Sequence, residues 1–365
     1  MNILALESSC DETAAAVVKN GKEVLSHVVY SQIPTHITTG GVVPEVASRE
    51  HVAKVLPIVE RALKISGLTV KQIDAIAVTA MPGLITSLLV GVDTAKTLAY
   101  VWEKPLIAVN HLNGHIAAAG VTKMRMPDGE FQTFKVQEKF PRILLLVSGG
   151  HTQLFLEKNK NHRVMLGETL DDAAGEAFDK AARFLGLPYP GGKSLSIEAT
   201  KGNVAAYDLP RPLQHRDDFM FSFSGLKTAF IDLARSVISG KSRSDASKNI
   251  SELAPLARNN KVRADLCASF ERAVIDSLYI KTEKAVLKYN AKQVVLAGGV
   301  AASKTLREVF YDRLKLHKTS LLVPDFSLCT DNAAMIGAEA YKLAKAKKFV
   351  DAKTLEPQAT RHGKY

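Results

Sequence analysis

Apolar residues fall into short unbroken runs separated by polar turns, with longer amphipathic stretches between them. ILALESSCDETAAAVV at 3–18 reads as a buried strand, a polar turn and a second apolar strand. ILLLVSGGHTQLFL at 143–156 repeats that scheme with glycines in the turn. Two such units predict an α/β chain of two related domains, their turns facing a shared cleft. Between them the pattern predicts a helix over 50–66 and a strand over 75–79. A long buried helix over 84–101 follows Pro82-Gly83. Next come a strand over 106–110 and a helix over 111–119, with Asn110 as its cap. Residues 122–139 read as an irregular linker. Beyond the second hairpin, helices are expected over 173–185, 264–289, 304–314 and 333–346, and a strand over 293–297. A Pro/Gly loop is expected at 187–192, a surface excursion at 240–262 and a fraying basic tail from 345. The expected partition is 1–125 completed by 329–345, a second domain over 140–328, and a tail over 346–365.

Composition narrows the class. The chain has 365 residues, 46% apolar and 23% charged, which excludes disordered, collagenous and disulfide-rich types. No apolar run reaches the ~18 residues of a transmembrane helix, so no membrane association is expected. The start, MNILALESSCDET, has no basic or apolar leader, and a cytoplasmic location is expected, with the mitochondrial matrix as the alternative. Three scattered cysteines, Cys10, Cys267 and Cys329, point to reduced thiols. The 48 Lys and Arg against 37 Asp and Glu leave a net charge of +11. The excess gathers in 235–263 and 342–365, where it suits a polyanion such as nucleic acid.

Three glycine turns carry the candidate nucleotide chemistry: Ser148-Gly149-Gly150, Gly298-Gly299 and Pro190-Gly191-Gly192. Paired glycines let backbone N–H groups approach an anion, although each turn alone reads equally well as a tight bend. Neither a P-loop nor a dinucleotide glycine pattern occurs. His111 and His115, four residues apart, put both imidazoles on one helix face, where they can grip a metal. Asp331, ahead of a helical segment, is a candidate third ligand. Leu112 stands where a zinc protease carries its general base, which disfavours a peptidase. Asp11 and Glu12 in the first turn are candidate acid–base groups; a turn-stabilising aspartate beside a solvated glutamate is the plainer reading. Asp171 or Asp172 reads as a helix cap. Asp179 reads as a ribose contact or as a partner of Arg183.

Taken in order, these motifs resemble one family. They are Glu7-Ser8-Ser9-Cys10-Asp11-Glu12-Thr13, the run from Gly40-Gly41 to Ser48-Arg49, Asn110-His111 through His115, Val147–Thr152 and 171–179. Phe221 to Thr228, Gly298-Gly299-Val300 and 329–332 complete the set. The chain is similar to the tRNA threonylcarbamoyladenosine transferases, the TsaD group, once catalogued as glycoprotein endopeptidases. The resemblance implies two RNase H-like domains of the acetate kinase, sugar kinase, Hsp70 and actin (ASKHA) superfamily around a nucleotide cleft. It implies transfer of threonylcarbamoyl from L-threonylcarbamoyladenylate to the N6 amine of the adenosine 3′ to the anticodon, in tRNAs reading codons that begin with A. AMP leaves. It implies metal ligands at His111, His115 and Asp331, with iron(II) favoured and zinc possible. Adenylate contacts carry over to Leu146, Val147, Ser148, Gly149, Gly150, Asp179, Gly192, Ser196 and Ser303. Asp11 or Glu12 would serve the attacking amine. The implied partners are tRNA and either a TsaB-like paralogue with a TsaE-like ATPase or a second copy of the chain. Ser303 replaces the usual Asn, Lys193 a usual Pro, and Met81 and Thr86 usual glycines. A metal-dependent glycoprotein endopeptidase and a small-molecule kinase of the same superfamily are the alternative activities.

Overall fold

The computed structural model describes residues 1–239 and 260–359. Most of the predicted 240–262 excursion lies outside them. The chain divides into two compact units, Met1–Gln137 with Pro324–Tyr365, and Glu138–Val323.

Unit 1 begins with an antiparallel meander, β1 (Asn2–Glu7), β2 (Glu12–Lys19) and β3 (Glu23–Ser31). A short helix α1 (Ile33–His36) leads to α2 (Pro44–Ser66). α2 starts ahead of the predicted boundary, with Pro44 in its first turn, and Gly67 ends it in the left-handed region at φ 72°. β4 (Ala75–Met81) lies parallel to β1, and α3 (Ile85–Val101) carries the chain to β5 (Leu106–Asn110), parallel to β4. α4 (His111–Ala118) follows at once. Asn110 caps it by accepting from the N–H groups of Leu112 and Asn113. The expected linker is instead largely ordered into β6 (Lys123–Arg125) and β7 (Phe131–Thr133) at the sheet edge. Three-residue strands are too short for periodicity to reveal. β1 is buried on both faces, as its continuous apolar run requires. Leu4 and Leu6 join a core with α2 and α3, while Ile3 and Ala5 face the opposite one.

Unit 2 repeats the plan. β8 (Arg142–Val147), β9 (Thr152–Asn159) and β10 (His162–Glu168) form the meander. Helices α5 (Ala174–Phe184), α6 (Gly191–Ala199), α7 (Ser224–Ser239) and α8 (Asn260–Tyr289) come next. β11 (Gln293–Ala297) pairs parallel with β8, and after α9 (Lys304–Lys315) β12 (Ser320–Leu322) pairs parallel with β11. The strand order β10-β9-β8-β11-β12 is that of β3-β2-β1-β4-β5 in unit 1. The short repeat read from the sequence is therefore the visible part of a repeated five-stranded sheet. Gly191 and Gly192, expected in a loop, form the first turn of α6.

The chain then returns to unit 1 as α10 (Ala333–Lys345), which packs on β1, β2 and α4. The tail through 358 does not fray as expected. The Val350 N–H donates to Leu106, Leu355 enters the α2–α3 core, and the Gln358 N–H donates to Ala80. Apolar residues spaced among its lysines anchor it, and the basic character that dominated the sequence reading hid them.

Candidate metal centre and nucleotide turn

In unit 1, α4 follows β5 without a loop, so His111 and His115 occupy the first turns of a helix anchored by the sheet. Their Nε2 atoms are 3.1 Å apart. Asp331, just before the Asn332 cap of α10, places Oδ1 3.4 Å from His111 Nε2 and 3.2 Å from His115 Nε2. Ligand atoms about 2.0–2.2 Å from one cation, at angles of about 90–110°, lie roughly 3.0–3.5 Å apart, so the triangle fits a single ion. Two imidazoles and one carboxylate form the facial set that suits iron(II) or zinc.

The rest of β1's end and the first turn support that triangle. Glu7 is buried and its Oε2 accepts from His111 Nδ1 at 3.0 Å. It also accepts the Thr79 hydroxyl at 2.5 Å and, through Oε1, the Ser9 N–H at 2.6 Å. Engaging Nδ1 leaves His111 Nε2 with its lone pair toward the triangle, the arrangement of a carboxylate-backed metal histidine. Ser9 Oγ lies 3.1 Å from the same Nδ1. Burial opposes charge on His111, yet Asp331 and Glu7 draw its pKa well above the ordinary value. Burial likewise works to raise Asp331 and Glu7, but His111 outweighs it and holds both carboxyls low. Burial lowers His115, with the His111 charge adding to it. Without a cation, buried Glu7 and half-buried Asp331 thus face one imidazole drawn positive, and a divalent cation would meet the same demand for positive charge.

Asp11 and Glu12 sit in the turn above, Asp11 buried and Glu12 half-buried. Burial, the Asp11 charge and then Asp331 push Glu12 up to about 10, and Asp11 hydrogen-bonds to it. The pair therefore holds a proton at neutral pH. His51 on α2 fixes the turn. Its Nδ1 lies 2.7 Å from the Thr13 hydroxyl and its Nε2 3.0 Å from the Cys10 carbonyl. The sequence reading assigned no role to Glu7, Ser9, Thr79 or His51. An acid closing an otherwise apolar strand was the available signal for Glu7.

In unit 2 the β8–β9 ladder ends at Val147–Thr152, leaving Ser148 to His151 as a tight turn. The Ser148 N–H donates to the His151 carbonyl at 2.8 Å. Gly149 and Gly150 are exposed, and a Cβ on either would meet nothing within 4 Å. Gly175 at the start of α5 packs on this turn so closely that a Cβ would lie 2.5 Å from the Ser148 carbonyl oxygen. Leu146 and Val147 are buried and paired with β9, so they hold the turn from behind and do not reach its surface. Asp179 accepts the Gly192 N–H at 3.1 Å. Ser196 on α6 donates to Glu271 of α8 at 2.6 Å, and Ser303 caps α9 by accepting from the Leu306 N–H at 3.2 Å. Burial raises the pKa of Glu271, opposed by hydrogen bonds from Ser196, Thr305 and Ser303. Neither Asp171 nor Asp172 caps α5 as expected, because Ala173 holds that position. Asp171 instead accepts from the N–H groups of Phe223 and Ser224 at the start of α7, and Asp172 pairs with Lys180 and Lys227.

A family model described as "TsaD: tRNA N6-adenosine threonylcarbamoyltransferase" matches residues 23–338. The chain belongs to this family. A relative of that name from Syntrophomonas wolfei is 47% identical over 340 residues, covering 93% of this chain and 91% of the relative. One from Bacillus subtilis is 46% identical over 339 residues, covering 93% and 89%. Among solved structures, component A of the Acidaminococcus fermentans (R)-2-hydroxyglutaryl-CoA dehydratase superposes with a TM-score of 0.50 at 13% identity. It covers 94% of this chain and 99% of that one, a likeness of fold alone. The fold is the two-domain α/β architecture of the ASKHA superfamily expected from the sequence. The triangle of His111, His115 and Asp331 is compatible with a metal site in a TsaD protein. Among the described residues, no helix is long and apolar enough to cross a membrane.

Proposed function

We propose that the protein transfers the threonylcarbamoyl group from L-threonylcarbamoyladenylate to the N6 amine of the adenosine 3′ to the anticodon of tRNAs reading codons that begin with A. The observation that carries this reading is the convergence of His111, His115 and Asp331 in a chain whose relatives bear the transferase name. The new C–N bond forms at the carbamoyl carbon as its bond to the phosphate oxygen breaks, and AMP leaves with that electron pair. The mixed anhydride stores the driving force, so the protein's work is positioning and charge stabilisation.

His111, His115 and Asp331 would hold one divalent cation, iron(II) by preference and zinc as the alternative. When bound, such an ion supplies Lewis-acid stabilisation of developing oxygen charge. Glu7 orients His111 through Nδ1. Asp11 or Glu12, neighbours in the turn above the triangle, would accept the N6 proton as the C–N bond forms. The exposed turn at Gly149-Gly150 receives the adenylate phosphate through backbone N–H groups, with Leu146, Val147 and Ser148 supporting it. Asp179, Gly192, Ser196 and Ser303 serve the nucleoside.

The net charge of +11 supports a tRNA partner. Val52 and Leu56 on α2 and Ile85 and Leu89 on α3 remain exposed, which supports a protein partner on those helices, a TsaB-like paralogue acting with a TsaE-like ATPase or a second copy of the chain. A cytoplasmic location follows from such substrates. The test supplies purified protein, with helper proteins, with threonylcarbamoyladenylate and tRNA, and analyses the nucleosides by mass spectrometry. The threonylcarbamoyl adduct on adenosine is the expected product. Unmodified tRNA together with cleaved glycoprotein, or with ADP formed from ATP and a small alcohol or carboxylate, would overturn the assignment.

A further inference from the structure

Glu271 lies on α8 among Phe270, Ala268, Ala273 and Val274 and is only 4% exposed. A carboxylate in such a place is costly unless its oxygens are satisfied. Here they are met by hydroxyls. Ser196 from α6 donates at 2.6 Å, and the Ser303 and Thr305 hydroxyls at the start of α9 bear on the same carboxyl and draw its pKa down. A serine hydroxyl has one proton and two lone pairs. With its proton given to Glu271, Ser196 can offer a further group only lone pairs. Ser303 gives a lone pair to the Leu306 N–H. Both serines are half-buried, in front of a carboxylate that is not accessible itself.

We infer that Glu271 is a positioning residue that fixes Ser196 as a hydrogen-bond acceptor, so that unit 2 reads a donor group on its bound nucleotide. The inference rests on the proposed adenylate site. Adenosine offers two kinds of donor, the ribose hydroxyls and the exocyclic amine. An isosteric amide at 271 would break the arrangement. Its NH2 donates where one carboxylate oxygen accepted, which loosens the hold on the Ser196 proton and frees it to turn toward the ligand.

The experiment measures binding of AMP, 2′-deoxy-AMP, 3′-deoxy-AMP and inosine monophosphate by calorimetry to the full chain and to Glu271→Gln, Ser196→Ala and Ser303→Ala. AMP should bind about tenfold more weakly to E271Q, at an unchanged melting temperature. The wild type should reject one analogue, a deoxynucleotide if a ribose hydroxyl is read or the inosine nucleotide if the amine is read. That preference should collapse in E271Q and in S196A alike, and the variant combining Glu271→Gln with Ser196→Ala should bind no more weakly than E271Q. Should E271Q keep the wild-type preference while S196A or S303A loses it, or should E271Q only lower the melting temperature, the inference is wrong and the adenylate site stands. If the wild type does not bind AMP, or if both serine variants and Gly149→Val bind it normally, the adenylate reading itself fails and the inference falls with it.

Discussion

The first hairpin turn of unit 1 and that of unit 2 occupy equivalent places in the five-strand order that their two sheets share, each between the first two strands of its unit. Their contents are opposite. Unit 1 ends β1 with buried Glu7, follows it with Asp11 and Glu12, and pins the turn with His51. Unit 2 ends β8 with Val147 and follows it with two glycines open to solvent. One scaffold thus yields two electrostatic outcomes. Carboxylates gathered under low exposure demand positive charge, which imidazoles or a cation supply. Bare backbone with exposed N–H groups favours negative charge. The strand topology sets where the turn lies, and the turn's side chains decide what it binds.

Removing a carboxylate from unit 1 should break the contrast most severely. Asp331→Ala leaves two imidazoles without their shared anion, and product formation should fall by at least about 100-fold, read by mass spectrometry of tRNA nucleosides. Next in size is a pair of glycine variants in unit 2. Gly149→Val points into open space, so its stability should change by less than about 1 kcal/mol while AMP binding falls by about tenfold or more. Gly175→Ala does the reverse, because its Cβ would press on the Ser148 carbonyl, and chemical denaturation should show a loss of about 1–3 kcal/mol. Glu7→Gln should weaken metal binding by about 10- to 100-fold without unfolding the sheet, as expected for the group behind a ligand. A pH-dependent effect concerns Glu12. Its folded pKa of about 10 lies above its unfolded value of 4.5, so the folded chain keeps a proton that the unfolded chain releases between them. That contribution is full below about pH 4.5 and is lost as pH rises toward about 10. In metal-free protein, the denaturation midpoint of the wild type should therefore decline across this window relative to Glu12→Gln. Parallel profiles would show that Glu12 is ionised.

Periodicity made the long elements legible because a buried strand such as β8 or an amphipathic helix such as α9 declares its face every two or 3.6 residues. It did not reveal β6 and β7, each three residues long, nor the docking of Val350 and Leu355 among lysines. The i,i+4 spacing of His111 and His115 is a local fact that a helix turns into geometry. The partnership of His111 with Glu7, 104 positions away, exists only once β1, β4 and β5 are side by side, so spacing alone could not give it. Glu271 was hidden for a related reason. It sits in the buried stretch of α8, where an isolated acid reads as a solvated face until the hydroxyls from α6 and α9 are seen around it.

The central claim is that unit 1 holds one cation on His111, His115 and Asp331. Anaerobic titration of metal-free protein with iron(II), and separately with zinc, followed by calorimetry and elemental analysis, tests it directly. One ion per chain should bind, and Asp331→Ala and His115→Ala should each abolish binding while keeping the fold. Equal binding by the wild type and both variants, or no binding by the wild type, would contradict the account.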